Sequence, residues 1–460
     1  MTTKQVDAEL THDHFKRSSF LEESAFTLVV KVLIFFLATG SGVIVARTLG
    51  PAGKGAFNLA TSLPNLVGNM VLLGMNFSCI RLLGEDSPYS PRTVVSTFFT
   101  WSILWGSIWV AIGWLSYGYL QGTILKGVNA LTFGLALLGI PLLFLQSMAS
   151  HSLQGLNRIR AFIITWLSYG IFRFLGLCML LLLLKQGVNA AVLAGLCAAL
   201  FSLLIALSRL HRLVPIGWGM DWNLLVRDVL SYGVQVSLAG TMMLGIYRID
   251  LYIVNYYSQS TDQVGYYALA VSLAEVLWKV NESIGVVLHP RVTRGTPQSR
   301  AELTASAARN SLFLTTLGAL AMALVARPAI TLVYGVEYLP AVWPLVLLLP
   351  GIVTIIVHRT LGSYLALNES PLYLILPTGM AMIANVGLNL WLIPRWGIAG
   401  AAFVSFISYS LASVVTLVLF LRVAPWVAWH NILLIDREDI LRYWSVLQRM
   451  KRSAVAVLSR

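Results

Sequence analysis

The sequence predicts an all-α polytopic membrane protein, with twelve transmembrane helices in two pseudo-symmetric six-helix lobes. Composition is the first observation: 57% of the 460 residues are hydrophobic and only 11% are charged, whereas soluble domains carry about 25% charged residues. The second is a series of twelve apolar runs, each close to the ~20 residues that a helix needs to cross a bilayer. The third is an internal repeat, which places six runs in each half of the chain.

The apolar runs are too long and too continuous for the tilted strands of a membrane barrel. They also exclude a soluble enzyme with a large core. The predicted spans cover 25–46, 56–83, 94–117, 130–154, 161–184, 188–208, 228–256, 264–288, 309–333, 341–366, 371–393 and 398–422.

The repeat has a spacing of 210 residues. GAFNLATSLPNL at 55–66 and GYYALAVSLAEV at 265–276 match at five of twelve positions, and the same spacing pairs Gly187 with Gly397. Each copy has an even number of spans, so both copies enter the membrane from the same side. An axis along the membrane normal therefore relates the two halves.

The predicted domain organisation follows from the spans. An N-terminal segment (1–24) precedes an N-lobe (25–208), a linker (209–227), a C-lobe (228–422) and a tail (423–460). Lys and Arg concentrate in the linker, the tail and the loops on the same side as the termini. By the positive-inside rule, both termini are cytoplasmic. The net charge of +13 is mostly a topology signal, and nucleic-acid binding is disfavoured because the basic residues are spread over many short loops.

Motifs for chemistry are few. Residues 1–20 are polar and do not resemble a signal peptide. Cys79, Cys178 and Cys197 all lie in predicted spans, which favours neither a disulfide nor a metal site. No Walker motif is present. We expect no cofactor and no catalytic residues, and therefore no enzyme.

Polar side chains form a stripe on the second predicted span. Asn58, Asn65, Asn69 and Asn76 fall within about 20° of one direction on a helix of 100° per residue. Buried polar groups in a bilayer usually face water or a partner. We interpret the stripe as one wall of a hydrophilic cleft, and hydrogen-bonding between helices is the alternative.

The repeat extends this interpretation to the C-lobe. Asn65 and Asn69 correspond to Glu275 and Lys279, and Glu282 follows one turn later. Two polar walls, one per lobe, predict a central cavity between the halves. Glu275 and Glu282 could instead pair with Lys279 within the helix, simply to make it insertable.

Other ionisable residues lie deep in the predicted spans. Arg173 is near the middle of the fifth span, and spans one to six contain no Asp or Glu. An unpaired deep cation indicates an anionic ligand; a partner across the lobes such as Asp250 is the alternative. Arg248 and Asp250 lie on nearly opposite faces of the seventh span, so they do not readily pair with each other.

The tail resembles an amphipathic helix at the inner leaflet. Over 437–452 one helical face carries four apolar residues, and most basic residues lie elsewhere. A solvated helical tail is the alternative. The apolar residues are Ile440, Leu441, Trp444 and Leu447, and the basic ones are Arg442, Arg449, Lys451 and Arg452.

Three motifs occur in order along the chain: ARTLGP at 46–51, followed by Gly53, Gly55 and a polar second helix, and the stretches at 247–275 and 385–411. They resemble the opening, the seventh to eighth helices and the eleventh to twelfth helices of the polysaccharide-type flippases of the multidrug/oligosaccharidyl-lipid/polysaccharide exporter (MOP) superfamily. The resemblance spans about 20–422.

This resemblance implies two six-helix lobes around a cavity that opens alternately to each side. It implies a lipid-linked oligosaccharide of the undecaprenyl-diphosphate type as substrate, moved from the inner to the outer leaflet of a bacterial plasma membrane. It also implies membrane lipids, and a polysaccharide polymerase or glycosyltransferases of the same pathway, as partners. Arg47 matches the family's arginine at the outer end of the first helix, where it lies at the cavity rim or anchors the interface.

The predicted substrate-binding residues divide by chemistry. Asn58, Asn65 and Asn69 would bind sugar hydroxyls, while Arg173, Arg248 and Lys279 would attract the diphosphate. Asp250 and Glu275 are candidates for ion coupling; otherwise the membrane potential drives the step. The alternatives are a cation-coupled multidrug antiporter, a lipid II flippase and an integral-membrane glycosyltransferase or polymerase.

Overall fold

The computed structural model describes most of the chain. Within the described backbone given next, side chains are described from residue 26 onward, except at 69–72, 77, 228, 230–232, 235–236 and 371. The described backbone comprises 3–72, 74–84, 87–258, 260–279, 281–282, 296–437, 439, 441, 443–445 and 448.

The described backbone is helical and contains no strand, which confirms the predicted fold class. Short π-helical turns occupy Cys178–Leu183 and Leu224–Leu230, and 3-10 turns occupy Val336–Ala341 and Pro371–Leu374. The α-helices are α1 (Thr3–Leu72), α2 (Met75–Leu82), α3 (Pro91–Gly122), α4 (Ala130–Gly155), α5 (Ile159–Leu177), α6 (Val188–Leu210), α7 (Ser231–Tyr257), α8 (Asp262–Glu275), α9 (Pro297–Val333), α10 (Val342–Asn368), α11 (Ile375–Val423) and α12 (His430–Leu433).

Nine helical stretches of the described chain are long and apolar enough to cross a membrane. One of them, Phe26–Gly68, covers the first predicted span and the first part of the second, and another, Leu372–Val423, covers the last two predicted spans. The eighth predicted span is described as α8 and a few following residues, and 283–295 lie outside the described residues. The described helices therefore accommodate the twelve-helix fold.

Glycine elbows replace two of the expected loops. Gly50 has φ 66° and ψ −178° inside α1, and Gly397 has φ 55° and ψ −137° inside α11. A residue with a Cβ rarely adopts this region, whereas glycine does so at little cost. One non-helical residue turns the chain while the hydrogen-bonded helix resumes on either side, so no separate loop is needed.

The second predicted span, 56–83, is wrong as a single helix. It breaks between Leu72 and Met75, where Gly74 adopts a left-handed conformation with φ 71°. A Cβ on Gly74 would lie 2.6 Å from the carbonyl oxygen of Gly233. The break therefore accommodates a close backbone approach, which hydropathy does not report.

Contacts divide the chain into two compact units. The first comprises Met1–Ser237 with Ser260–Gly265, and the second comprises Leu238–Gln259 with Tyr266–Arg460. The predicted lobe boundaries at 208 and 228 remain predictions.

Hydroxyl groups join the helices of the first unit, in which α4 contacts each of α1, α2, α3, α5 and α6. Ser150 on α4 and Thr165 on α5 have hydroxyls 3.0 Å apart. The Ser202 hydroxyl on α6 donates to the Thr165 carbonyl at 2.7 Å and lies 3.2 Å from the Gln146 amide on α4. In a bilayer, where apolar contact alone gives little preference for protein over lipid, such bonds hold helices together.

The second unit packs α9, α10 and α11 around one apolar cluster. Tyr364 and Leu365 of α10 meet Phe420 of α11 and a row of alanines on α9. Val427 and Ile432, which follow the last span, complete the cluster. The chain after residue 423 is therefore attached to the helical unit.

Candidate functional site

The polar stripe of α1 is bonded to its own helix. The Asn58 amide donates to the Lys54 carbonyl at 2.8 Å, and the Asn65 amide donates to the Thr61 carbonyl at 2.8 Å. The hydroxyls of Thr61 and Ser62 likewise donate to carbonyls four residues earlier. These bonds lower the cost of placing polar groups in a bilayer. The side-chain oxygen of Asn58, which can accept hydrogen bonds, is not used by its contact with Lys54.

The first unit contains a cavity of about 450 Å³. That volume is within the range of small-ligand sites, which is about 300–1,000 Å³. Its walls come from α4, α5 and α6 and from both arms of α1, which are the helical stretches before and after Gly50. The polar or aromatic side chains that line it are Ser41, Phe57, Thr61, Asn65, Gln146, Trp166, Tyr169 and Arg173.

Two predicted site residues meet in this cavity: Asn65 from the second arm of α1, and Arg173 from α5. Arg173 is half-buried, as its place in the middle of the fifth span predicts. The cavity lies within the first unit, whereas the sequence placed the predicted cavity between halves. That central cavity remains a prediction.

Lys54 is a buried cation that the sequence analysis missed. Only 5% of it is exposed, and the like charge of Arg173 acts on it. Among the described residues, no carboxylate lies within ion-pair distance of either cation. Within the described part of the first unit, neither of these two positive charges at or beside the cavity is therefore compensated by a carboxylate.

A signal for Lys54 was present in the sequence. It lies one turn before Asn58 and so extends the polar stripe of α1 by four residues. The hydropathy pattern predicts a loop over 47–55, so the predicted stripe does not include Lys54. The Gly50 elbow removes that loop and places Lys54 within a helix.

The remaining predicted residues of the first unit lie apart from the cavity lining. Asn58 does not line the cavity, and Arg47 is exposed near the elbow. The side chain of Asn69 lies outside the described residues. Asn76 belongs to α2, beyond the break at Gly74, and accepts a hydrogen bond from Ser147 of α4 at 3.1 Å. The single-helix stripe therefore does not extend to Asn76.

The predicted cations of the second unit are paired. Arg248 contacts both carboxylate oxygens of Glu275, at 2.9 and 3.0 Å. Lys279 contacts Glu282 at 2.7 Å. Lys279 thus has a partner in its own helical segment, as the alternative interpretation expected, but Glu275 pairs with Arg248 on α7.

Asp250 is fully buried and accepts three hydrogen bonds. They come from the Leu251 backbone N–H at 2.9 Å, from the Tyr267 hydroxyl and from the Ser405 hydroxyl at 3.2 Å. All three donors belong to the second unit. Its carboxylate therefore joins α7, α8 and α11, which is a structural role that the sequence could not indicate.

An aromatic cluster lies beside the Arg248–Glu275 pair. The Tyr247 ring is 4.6 Å from that of Trp278, and the Arg359 guanidinium lies 4.6 Å over Trp278. Arg359 also lies 3.8 Å from Glu282. These three cations of the second unit, Arg248, Lys279 and Arg359, thus each contact a carboxylate, and an aromatic face also attracts Arg359.

Comparison with known proteins identifies the family. The family model described as polysaccharide biosynthesis protein matches residues 20–296, more than half of the chain. The chain belongs to the polysaccharide biosynthesis protein family. None of the curated proteins compared with this family member matches it.

Solved structures share the fold of this polysaccharide biosynthesis protein. An inward-facing multidrug resistance MATE family transporter of the MOP superfamily aligns with a TM-score of 0.68 at 14% identity, covering 85% of this chain and 94% of that chain. The lipid II flippase MurJ, in an inward closed conformation, gives 0.71 at 14% identity, with 87% and 90% covered. A MOP superfamily transporter from Pyrococcus furiosus gives 0.58 at 12% identity, with 87% and 93% covered.

The family match confirms the polysaccharide biosynthesis family expected from the sequence, and the solved structures share the fold of MOP superfamily transporters. They also support the twelve-helix fold and a multi-pass membrane location. The proteins compared are transporters and flippases. At these identities the structural likeness establishes the fold of the family member and no more.

Proposed function

We propose that this protein is a flippase that moves a lipid-linked oligosaccharide of the undecaprenyl-diphosphate type across a membrane for surface polysaccharide export. The observation that carries the proposal is the pair of uncompensated cations, Lys54 and Arg173, at a cavity of the first unit. Membership of the polysaccharide biosynthesis family supports a saccharide as the transported group.

The electrostatics favour an anion with two charges. A buried cation without a partner is costly, because removal from water is not offset by a nearby opposite charge. A diphosphate would neutralise both Lys54 and Arg173 and would accept charge-assisted hydrogen bonds from the guanidinium. Anion binding at this cavity therefore relieves repulsion that is present in the free protein.

The neighbouring groups suit a sugar. Asn65, Gln146 and Tyr169 line the same cavity and offer both donors and acceptors. Trp166 supplies an aromatic face. Asn58 and Asn69, on the stripe of α1, would bind hydroxyls further along the glycan, and Arg47 would contact the ligand at the cavity rim. This mixture of apolar walls and few polar groups is typical of small-ligand sites.

Arg248 and Lys279 would act at a later stage of transport. Each now contacts a carboxylate, so an incoming diphosphate must exchange with Glu275 or Glu282 to bind. The displaced carboxylate would lose its cationic partner while the diphosphate is bound. Glu275 could then bind a proton or a cation, which would couple ion binding to substrate binding, and Asp250 is the other candidate for the coupling ion.

The membrane potential is the simpler driving force. Two negative charges that leave a negative-inside compartment gain about 4–5 kcal/mol per 100 mV if they cross the whole field. Alternating access of the two halves would carry the headgroup, while the lipid tail stays in the bilayer. The protein would act without covalent catalysis, alongside a polymerase or glycosyltransferases of its pathway.

Transport by purified protein tests the proposal directly. In proteoliposomes with undecaprenyl-diphosphate oligosaccharide, lectin-accessible headgroup on the far leaflet measures flipping. We expect Arg173→Ala and Lys54→Ala each to lower the rate about tenfold or more, which corresponds to about 1.4 kcal/mol of lost interaction. Arg158→Ala is the matched control, because Arg158 is an exposed cation beside the start of α5, outside the cavity lining.

The outcomes are distinct. Rates within twofold of wild type for both cavity variants, at equal protein level, would refute the anion site. If the wild-type protein does not transfer the headgroup to the far leaflet, the proposed function is refuted. Dye efflux that depends on Asp250 or Glu275, with no headgroup transfer, would identify a cation-coupled multidrug antiporter instead.

We propose a bacterial plasma membrane location with both termini cytoplasmic, on the strength of the distribution of Lys and Arg. Lys126 and Gln298 are both exposed and lie at predicted outer and inner loops, respectively. A membrane-impermeant maleimide should label Lys126→Cys in intact cells, in a background without the three native cysteines. Gln298→Cys should react only after the cells are permeabilised, and the reverse pattern would contradict this orientation.

A further inference from the structure

The chain after the last span is held against the second unit by two layers of contacts. We call Ala424–Gln448 the C-terminal segment. Nearest the span, Val427 and Ile432 are buried in the apolar cluster with α9, α10 and α11. The described residues beyond Ile432 are held by polar contacts, which come mainly from α9.

Arg309 of α9 is the centre of the polar contacts. Its guanidinium donates to the Asn431 carbonyl at 3.1 Å and contacts the Asp439 carboxylate at 2.6 Å. Asp439 is only 4% exposed. One turn later, the Tyr443 hydroxyl donates to the Asn310 side-chain oxygen at 2.6 Å, and its ring stacks on Phe313 at 5.8 Å.

These contacts fix which face of the segment points away from the protein. Asp439 and Tyr443, four residues apart, face α9, so residues about half a turn from them face outward. Leu441 and Trp444 are 60% and 61% exposed. Burial of Tyr443 and the nearby Asp439 carboxylate raise the pKa of the Tyr443 phenol, which keeps the hydroxyl protonated as a donor.

Other large side chains of the C-terminal segment are exposed as well. Trp426, Trp429 and Leu434 are about half exposed, and none belongs to a candidate span. Tryptophan is enriched where a protein crosses from hydrocarbon to headgroups, because its ring is apolar while its N–H can bond to water or lipid. Three exposed tryptophans within the segment are therefore placed for an interface, not for bulk water.

Charge favours the same environment. The C-terminal segment itself contains Arg437 and Arg442 beside Asp436, Glu438 and Asp439, and the excess of basic charge follows it directly, at Arg449, Lys451, Arg452 and Arg460. An apolar-faced segment that continues into basic residues binds the surface of a leaflet that contains anionic lipids. The segment begins at the end of a membrane-crossing helix, so it starts at the membrane surface.

We propose that the C-terminal segment is a lipid-binding platform: Trp426, Trp429, Leu434, Leu441 and Trp444 enter the headgroup region of an anionic leaflet, and the Arg309–Asp439 ion pair holds the segment flat against α9. The occupant of the exposed face is the bilayer itself. The ion pair sets the depth and orientation of the segment, because it fixes which side chains point outward.

Depth measurements on spin labels test the platform in the full-length protein. Labels at Leu441→Cys and Trp444→Cys, in nanodiscs with and without phosphatidylglycerol and without the native cysteines, report relative access to oxygen and to a water-soluble nickel complex. We expect both labels at about 5–10 Å below the headgroup boundary, and deeper with phosphatidylglycerol. Gln298→Cys is the control, since this exposed polar position begins α9 and should remain accessible to nickel.

The ion pair has its own test. Arg309→Gln or Asp439→Asn should increase the mobility of the label at 444 and change its depth, whereas the exchanged pair Arg309→Asp with Asp439→Arg should restore both. Labels at 441 and 444 as accessible to nickel as the label at 298 would overturn the proposal. Labels protected from both oxygen and nickel would overturn it too, because they would show that another protein or a second copy covers the face.

Discussion

At Lys54 and Arg173 the requirements of stability and of function are opposed. Each is placed where an unpaired charge is costly, and each repels the other. A protein retains such groups when a ligand that neutralises them is part of its work, since destabilised sites are common where function requires them. Removing either charge should therefore maintain or raise the stability of the protein but lower the rate of transport.

Replacing Lys54 with Met tests this opposition. Met keeps most of the side-chain volume and removes the charge, so we expect the protein to unfold at a temperature equal to or above that of the wild type. Transport should fall about tenfold or more. Thermal unfolding in detergent and the flipping assay measure both effects, and a clear loss of stability would show that Lys54 has a compensating partner.

Asp250 presents the reverse case, in which every contact of a buried acid is satisfied. Asp250→Asn replaces an acceptor with an amide whose N–H₂ faces donors from Leu251, Tyr267 or Ser405. We expect a loss of about 1–3 kcal/mol of stability. Tyr267→Phe, which removes one of these bonds, should cost about 1 kcal/mol.

Ion coupling would give a different result for the same variant. If Asp250 bound the coupling cation, Asp250→Asn would abolish the cation dependence of transport while leaving the unfolding temperature near that of wild type. Unfolding temperatures and transport rates at several sodium and proton concentrations distinguish the two roles.

At the scale of the element, the glycine elbows determine the course of two long helices. Gly50 and Gly397 have no atom within 4 Å of the position that a Cβ would take. Packing therefore does not require glycine at either elbow, and the backbone angles alone do. This separates conformational cost from steric cost, which is seldom possible at a buried glycine.

Gly50→Ala and Gly118→Ala form a matched pair for this question. Both add one methyl group where nothing lies within 4 Å, but Gly118 has a helical backbone and Gly50 does not. We expect Gly50→Ala to cost about 1–3 kcal/mol of stability and Gly118→Ala to be neutral or stabilising by up to about 1 kcal/mol. Equal unfolding temperatures for the two variants would contradict the elbow.

Much of the helical organisation could be predicted from the sequence, because bilayer thickness sets the length of an apolar run. Helical periodicity predicted Asn65 as a site residue, and depth within an apolar run predicted Arg173; both line the cavity. Lys54 was missed because a one-residue elbow looks like a loop in a hydropathy pattern. The partners of Asp250 could not be predicted, since Ser405 is 155 residues away and no sequence pattern links the two positions.

At the scale of the whole molecule, the repeat predicts which residues are equivalent but not which residues are in contact. The spacing of 210 residues made Gly55 and Gly265 equivalent, but equivalence in sequence does not imply contact. In the first unit a Cβ on Gly55 would lie 2.0 Å from the Thr261 carbonyl oxygen, and a Cβ on Gly265 would lie 2.0 Å from that of Pro51. Pro51 and Thr261 are themselves 210 residues apart, so the contact is reciprocal with respect to the repeat.

This reciprocity gives a prediction that depends on both halves of the contact. Gly55→Ala and Gly265→Ala should each destabilise the protein by about 1–3 kcal/mol, because the added methyl group meets a backbone oxygen that cannot rotate away. Since one separation of the segments relieves both clashes, the double variant should cost little more than either single variant, and the sum would overestimate it. Gly42→Ala, with nothing within 4 Å of its Cβ, is the control in thermal unfolding. Additive costs, or single variants as stable as this control, would mean that residues 51–55 and 261–265 do not meet at one shared contact.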